Sequence, residues 1–110
     1  MNTSNFSKSA KHQKAVSIAF KNPPYFTGRH FKILAPHKWF LRKFKRDLDT
    51  EEFTERYYKE VLNKLDPRKI YEQLGEDAVL LCWEGKDKFC HRHICAKWFY
   101  KELGVRVTEL

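Results

Sequence analysis

The feature that most constrains the fold is the run AVLLCWE, Ala78–Glu84, which is apolar at nearly every position. A half-exposed strand alternates apolar and polar residues, whereas an uninterrupted apolar run is typical of a strand buried on both faces. Strands of that kind belong to parallel sheets, because the helices that connect parallel strands cover both faces. A polar turn and a helical pattern ending at Gly104 follow the run. The sequence therefore predicts an α/β protein.

The rest of the chain has the same alternation of strands and helices. Ala15–Phe20 is an apolar run of strand length, and VRVTEL at the end of the sequence alternates as a strand does. A long loop with three prolines and several aromatic residues, KNPPYFTGRHFKILAP, follows the first of these strands. We predict a short, mostly parallel sheet of three strands. The predicted helices between the first two strands cover residues 36–47, 49–65 and 66–75, the last with Asp66 as cap, Pro67 at its first position and Gly75 as terminator.

Charge is distributed unevenly along the chain. The net charge is +8; residues 1–46 contain 11 Lys or Arg and no Asp or Glu, whereas residues 47–110 contain 11 basic and 14 acidic residues. This asymmetry favours a polyanionic partner, a nucleotide or a nucleic acid, although a solvated basic tail and a lysine-rich helix face give the same composition. Residues 1–13 are polar and basic and are predicted to be a disordered tail, with residues 14–110 as one α/β domain.

The composition also predicts where the protein works. No run approaches the roughly 18 apolar residues of a membrane span, and the first residues lack the apolar core of a secretory signal. We therefore expect a cytoplasmic protein with reduced thiols and no membrane partner. Three cysteines, an odd number, argue against a disulfide framework. Because a three-stranded sheet is small, dimerisation would be one way to bury more of it.

Reactive side chains are concentrated in LLCWEGKDKFCHRHICAKWF, residues 80–99, which contains all three cysteines. In parallel α/β sheets, ligands bind beyond the carboxyl ends of the strands. The helix that begins near Cys90 directs its N-terminus to that edge, where free N–H groups favour an anion and Arg92 can clamp it. The facing loop adds basic side chains. The residues predicted to bind a phosphate-bearing ligand are Arg92, Cys82, Lys21, Arg29, His30 and Lys32.

The same segment resembles the C-terminal signature of domain-of-unknown-function family 488, in its short form: cysteine-x-glutamate, followed by cysteine-histidine-arginine. The resemblance extends upstream through VSIAFKNPPYFTGRHFKILAP and downstream through LGVRVTEL. It implies a Rossmann-like three-layer sandwich. It implies no reaction, because the family is largely uncharacterised. The residues that it assigns to a site are Cys82, Glu84, Cys90, His91 and Arg92.

Three roles suit these residues: a nucleophile, packed core thiols or a zinc site. Cys90 at a helix start, next to a histidine and an arginine, is a candidate thiolate nucleophile, with Glu84 or His91 moving the proton. Alternatively, Cys90 is a small buried helix-start residue, and Cys82 and Cys95 are packed thiols. Zinc is a further alternative, with Cys82, Cys90 and His91 as ligands and His93 or Cys95 as the fourth. The spacing is not a paired Cys-x-x-Cys, so we predict no metal site.

The function expected from the sequence is therefore binding of a phosphate-bearing ligand, with or without Cys/Glu chemistry. The alternatives are a non-enzymatic nucleic-acid-binding protein and a zinc-stabilised interaction protein. Glu84 at a strand end suits a salt bridge with Arg92 or Arg29, or a general base. The aromatic residues Tyr25, Phe26 and Trp83 have the shape to stack on a base, but core packing is the favoured interpretation. In the first of the predicted long helices, Trp39, Phe40 and Phe44 are expected to face inward.

Overall fold

Five parallel strands form one sheet in the computed structural model, which describes residues 1–110. In spatial order the strands are β3-β2-β4-β1-β5. Their bounds are Asn2–Asn5 (β1), Ala15–Ser17 (β2), Arg29–His30 (β3), Val79–Cys82 (β4) and Thr108–Glu109 (β5). The helices are Phe6–Ser9 (α1), Lys38–Asp47 (α2), Thr50–Glu60 (α3), Pro67–Leu74 (α4) and His91–Leu103 (α5), with single 3₁₀ turns at Lys32–Leu34 and Leu62–Lys64. The predicted α/β class and the Rossmann-like architecture are confirmed.

The prediction of a disordered tail at residues 1–13 is wrong, because β1 and α1 lie there. β1 is an interior strand that pairs with β4 on one side and β5 on the other. The sequence of β1 is polar, NTSN, and carries no apolar alternation. Three of its four residues, Thr3, Ser4 and Asn5, are nevertheless buried. Hydrogen bonds make this burial possible: Thr3 Oγ1 donates to Glu109 Oε1 at 2.6 Å, and the hydroxyls of Ser4 and Ser9 lie 2.7 Å apart.

The direction in which the chain crosses the sheet explains how the helices are arranged. The chain moves from β1 through β2 to the β3 edge and then returns through β4 to the β5 edge. Right-handed connections therefore place α1 on one face and α2–α5 on the other. Side chains of β4 pack against the helices on both faces of the sheet. Leu80 packs in the large cluster under α2–α5, whereas Val79 and Leu81 pack in a smaller cluster with Phe6 and Phe26. The double burial predicted for this run is confirmed.

The ends of the helices follow the predicted signals. Asp66 accepts hydrogen bonds from the first backbone N–H groups of α4, Pro67 occupies its first position, and Gly75 ends it. α5 ends at Gly104, whose φ of 69° suits a residue without a Cβ. α2 ends instead at Leu48, with φ of 56°. No helix of the structure combines the length and the apolar character that crossing a membrane requires.

α2 presents one aromatic residue to solvent that was predicted to face inward. Phe40 is buried and Phe44 is half-buried, as expected. Trp39 is 50% exposed, so that prediction is wrong. Its ring contacts the edge of Phe40, and the guanidinium of Arg56 lies 5.5 Å from its centroid. Adjacent residues on a helix point about 100° apart, and on α2 Phe40 rather than Trp39 takes the position that faces the core.

Candidate functional site

Between β1 and β4 the order in which the chain adds strands to the sheet reverses: the connection after β1 leads toward the β3 edge, and the connection after β4 leads toward the β5 edge. These two strands are neighbours, and Asn5 and Cys82 are paired in register at their ends. The helices that follow them leave toward opposite faces of the sheet, α1 to one and α5 to the other. In open α/β sheets, such a divergence opens a crevice, and ligands bind there. The cysteine-rich segment begins at this crevice with Cys82.

Three donor side chains converge beside the crevice. Cys82 ends β4, Cys90 lies immediately before α5, and His91 is the first residue of α5. One ligand atom of each, two sulfurs and an imidazole nitrogen, lie within 4.8 Å of one another. All three residues are buried, with Cys90 the most exposed at 7%. The turn between β4 and α5 therefore folds back and places Cys90 beside the end of β4.

The two cysteine sulfurs of this cluster lie within bonding distance, in a disulfide, and their Cα atoms are 7.1 Å apart. The expectation of three separate thiols is therefore wrong. An odd count leaves one cysteine over but does not prevent the other two from pairing. The remaining one, Cys95, is fully buried in the core, as predicted.

His91 is held in one tautomer. Its Nε2 lies 2.6 Å from the carbonyl oxygen of Ile18, and because a carbonyl only accepts, Nε2 carries the proton. The unprotonated Nδ1 then faces the sulfur of Cys90 at 3.7 Å. Burial lowers the pKa of His91 to about 4, so the ring is neutral at pH 7. A neutral imidazole nitrogen thus points directly at a cysteine sulfur.

Arg92 does not have the predicted role of a ligand clamp. It is completely buried, and all five of its N–H groups donate to protein atoms. Nη1 donates to the sulfur of Cys82 at 3.2 Å and to the carbonyl of Glu84 at 2.9 Å. Nη2 donates to the carbonyl of Gly85 at 3.1 Å, and Nε and Nη2 form a two-pronged pair with Glu109 at 3.1 and 2.9 Å. Arg92 therefore fixes the turn after β4 and supports the sulfur of Cys82.

Glu109 in β5 is the residue that sequence reasoning missed. Its carboxylate accepts from Arg92 and from Thr3, its partner in the adjacent strand β1. Burial alone would raise the pKa of Glu109, but the hydrogen bonds from Arg92 and Thr3 and the charge of Arg92 outweigh burial and lower it. An acid inside a short alternating strand was the only available sequence signal. Its partner could not be read from the sequence.

Glu84, predicted as a proton carrier or salt-bridge partner, reaches the cluster only through its backbone. Its carbonyl accepts from Arg92, whereas its side chain is exposed and makes no salt bridge. The position that Glu84 was expected to take beside Arg92 is occupied by Glu109. A residue just past a strand end turns outward with the chain, and the next strand supplies the buried acid.

The predicted basic loop divides between two edges of the sheet. Arg29 donates to the carbonyls of Gln73 and Leu74 at the end of α4, which precedes the amino end of β4. Arg29 therefore lies away from the crevice, and its predicted ligand role is not supported.

The other three basic residues of the loop lie near the carboxyl end of β2. His30 Nε2 donates to the carbonyl of Ala19 at 2.7 Å, and the ammonium of Lys32 lies 5.2 Å from the ring of Phe20. The backbone carbonyl of Lys21 accepts from Trp83 at 2.7 Å. These contacts tie the loop after β2 to the end of β4.

Two aromatic residues predicted to be core lie on the surface at this edge. Tyr25 is 61% exposed and Trp83 is 51% exposed, so the core interpretation is wrong for both. Phe26 is buried, as expected, against the edge of Phe6. Trp83 directly follows Cys82, beyond the end of β4, and its ring packs against Phe6 at the margin of the sheet.

The family model DUF488-N3a, described as the active DUF488-N3 subclade, matches residues 9–103. The chain belongs to the DUF488 family. This match confirms the resemblance read from the cysteine, histidine and arginine pattern. It spans the whole Cys82–Cys90–His91 cluster of this DUF488 chain, whereas Thr3 and Glu109 lie outside the matched segment. No curated protein and no solved structure matches the chain.

Proposed function

We propose that this DUF488 protein binds a phosphate-bearing ligand, a nucleotide or the end of a nucleic acid, at the carboxyl ends of the strands, around the end of β4. The Cys82–Cys90–His91 cluster then reacts with the bound ligand. The observation that carries this proposal is the position of Trp83. It is a half-exposed indole one residue beyond Cys82, and its N–H binds the backbone of Lys21 in the loop after β2.

The indole of Trp83 is fixed in place rather than free. Its N–H donates to the carbonyl of Lys21. Its ring packs edge to face with that of Phe6, and the two ring centroids are 5.4 Å apart. A ring held by its edge and still half exposed keeps a flat surface available. Aromatic side chains of this kind stack on nucleic-acid bases, each worth about 1–3 kcal/mol. Tyr25, from the same loop, adds a second exposed ring.

Charge around this aromatic surface suits phosphate. Four lysines flank it, all exposed and none in a salt bridge. They are Lys21 after β2, Lys32 after β3, and Lys86 and Lys88 in the turn before α5. The N-terminus of the thirteen-residue helix α5 lies at the same edge and favours negative charge. Stacking and phosphate pairing together are how proteins hold single-stranded nucleic acid and nucleotides.

The cluster supports chemistry as well as binding. A cysteine reacts as its thiolate, and a thiolate at a helix N-terminus beside an arginine is stabilised. In the reduced protein, His91 Nδ1 is placed to accept the proton of Cys90. The matched subclade is described as active, which also favours a reacting centre over a surface that only binds. The proposal is therefore an enzyme that acts on a phosphate-bearing substrate through buried thiols.

A pair of matched variants tests the binding surface. Fluorescein-labelled single-stranded DNA and a fluorescent ATP analogue are titrated with the reduced protein, and Kd is read from anisotropy. Trp83→Ala should raise Kd about 5- to 150-fold, the range expected for losing one stacked base. Trp39→Ala is the control, because Trp39 is equally exposed but lies on α2. Lys21→Glu should also weaken binding, and Lys97→Glu should not.

The rival, a non-enzymatic nucleic-acid binder that uses the basic first half, makes the opposite prediction. In that case Trp39→Ala would weaken binding and Trp83→Ala would not. Affinity would also fall steeply with salt, because many phosphates would be contacted. That result, or the absence of binding to both probes, would refute the proposed function.

A further inference from the structure

We propose that the reduced cluster Cys82, Cys90 and His91 binds one zinc ion, with the two thiolates and His91 Nδ1 as ligands. This inference deepens the proposed function by identifying its reacting centre as a metal site. It rests on the positions of the three donors. Cysteine sulfur and imidazole nitrogen are the ligand set that zinc prefers, and zinc is usually held by four ligands in a tetrahedron. Three buried donors of this set converge here within 4.8 Å.

The separations between the donors fit a tetrahedral ion. With bonds of about 2.3 Å to sulfur and about 2.05 Å to nitrogen, a tetrahedral zinc places the two donors about 3.6 Å apart. The distance from Cys90 Sγ to His91 Nδ1 is 3.7 Å. The same geometry places two sulfurs about 3.8 Å apart, which requires the pair to be reduced. The existing separation of Cys90 and His91 therefore already suits coordination.

The backbone positions of the two cysteines also favour a metal over a permanent disulfide. Disulfides usually join Cα atoms that are about 4.4–6.8 Å apart. The Cα atoms of Cys82 and Cys90 are 7.1 Å apart, beyond that range. An ion between the sulfurs lengthens the link, so a pair that is wide for a disulfide is suited to a metal.

The groups around the donors behave as supports of a metal site. Metal-binding histidines commonly donate their other ring N–H to a backbone carbonyl or a carboxylate, and His91 donates Nε2–H to the carbonyl of Ile18. Arg92 donates to the sulfur of Cys82, as a cation does beside a thiolate, and Glu109 balances the charge of Arg92. Binding releases one proton from each thiol to solvent. The two positive charges of the ion then balance the two thiolates, so the buried assembly is neutral overall.

Only three protein donors gather at the cluster. His93 Nδ1 instead lies 4.0 Å from Glu109 Oε1, and the thiol of Cys95 pairs with the hydroxyl of Tyr57. Zinc sites with three protein ligands take a water or the substrate as the fourth, which is the arrangement of catalytic rather than purely structural sites. The ion would thus lie at the strand end, next to Trp83, where the proposed ligand binds.

The experiment measures metal content without any ligand or activity. Protein reduced with a phosphine and dialysed against zinc is examined by native mass spectrometry beside a denatured control. One zinc per chain is expected for wild type and for the control Cys95→Ala, whose cysteine lies outside the cluster. None is expected for Cys82→Ser or Cys90→Ser. Cobalt provides a second measurement on unmodified protein: bound Co²⁺ should show the intense absorption of tetrahedral geometry and the charge-transfer band of thiolate ligands.

The inference is overturned if reduced wild type holds no zinc and gives no thiolate–cobalt band, or if Cys82→Ser holds as much zinc as wild type. Should the serine variants fail to fold, the cobalt spectrum of wild type alone decides. The proposed function is tested separately. If reduced wild type takes up no zinc but binds ligand through Trp83, the metal site alone is rejected. If it takes up zinc but binds no ligand, the proposed function alone is rejected.

Discussion

Replacing Arg92 with methionine tests the interpretation that this residue organises the site rather than binding ligand. Arg92→Met keeps most of the side-chain length and removes five hydrogen bonds and one charge. Breaking a buried ion pair from one side costs about 3–5 kcal/mol, because the partner charge is left uncompensated. The side chain of Glu109 is 16% exposed and so keeps some contact with water. The carbonyls of Glu84 and Gly85 belong to exposed residues and can also be rehydrated.

These considerations place the loss in the free energy of unfolding near the lower limit, at about 3 kcal/mol. For a chain of this size, that corresponds to a fall in Tm of roughly 12 °C. The assay is urea unfolding followed by tryptophan fluorescence, with the m-value checked to be unchanged. The matched control is Arg46→Met, which removes an exposed ion pair with Asp47 and should cost less than about 0.5 kcal/mol.

The double variant Arg92→Met with Glu109→Gln makes the test sharper. Removing both charges leaves no buried unpaired ion, so the double variant should be more stable than Arg92→Met alone. A loss below about 1 kcal/mol for Arg92→Met would mean that the guanidinium is not anchored as the structure shows. Equal stability of the single and double variants would mean that Glu109 is not its electrostatic partner.

Three further predictions concern other parts of the fold. Because the folded-state pKa of Glu109 is lowered, its contribution to stability is complete above its ordinary value of 4.5 and is lost as pH falls below it; urea unfolding across pH 3–6 should show this slope, and Glu109→Gln should reduce it. Burial raises the pKa of Cys95 to about 12, so in reduced protein at pH 8 iodoacetamide should modify this thiol only as fast as the protein unfolds; modification at the rate of a free thiol would contradict its burial. Ser4→Pro should prevent folding, measured by circular dichroism, because β1 is an interior strand, whereas Gln13→Pro in the turn before β2 should not; a harmless Ser4→Pro would restore the disordered-tail interpretation.

Much of the fold could be predicted because its signals are local. The apolar run of β4, the cap and proline of α4, and Gly104 after α5 act within a few residues, and each predicted the correct element. The strand β1 has no such signal. Its polar side chains are stable in the core only because of hydrogen bonds to residues such as Glu109, which is 106 positions away from Thr3. A pattern search within the segment itself cannot detect partners at that distance.

In the candidate site, too, the features with local sequence signals could be predicted and the partners distant in sequence could not. Its cysteines, His91 and Arg92 could be named because they lie together in one segment of the chain. Their partners could not be assigned: the sequence suggested the nearby Glu84 as the acid beside Arg92, whereas the fold places Glu109, from beyond α5, in that position. Trp83 is half exposed and is the first residue beyond β4, and the apolar run AVLLCWE does not mark where that strand ends.

The contact between His91 and the Ile18 carbonyl has a consequence for how this site can change during evolution. The acceptor is a main-chain atom, so replacing the side chain at position 18 does not remove it. A change of the Ile18 side chain, just beyond the end of β2, therefore leaves the tautomer of His91 unchanged, provided that the backbone keeps its path. No pair of covarying positions should report this contact, and a search for coupled substitutions would overlook it. The orientation of the imidazole therefore depends on the path of the backbone and not on which side chain occupies position 18.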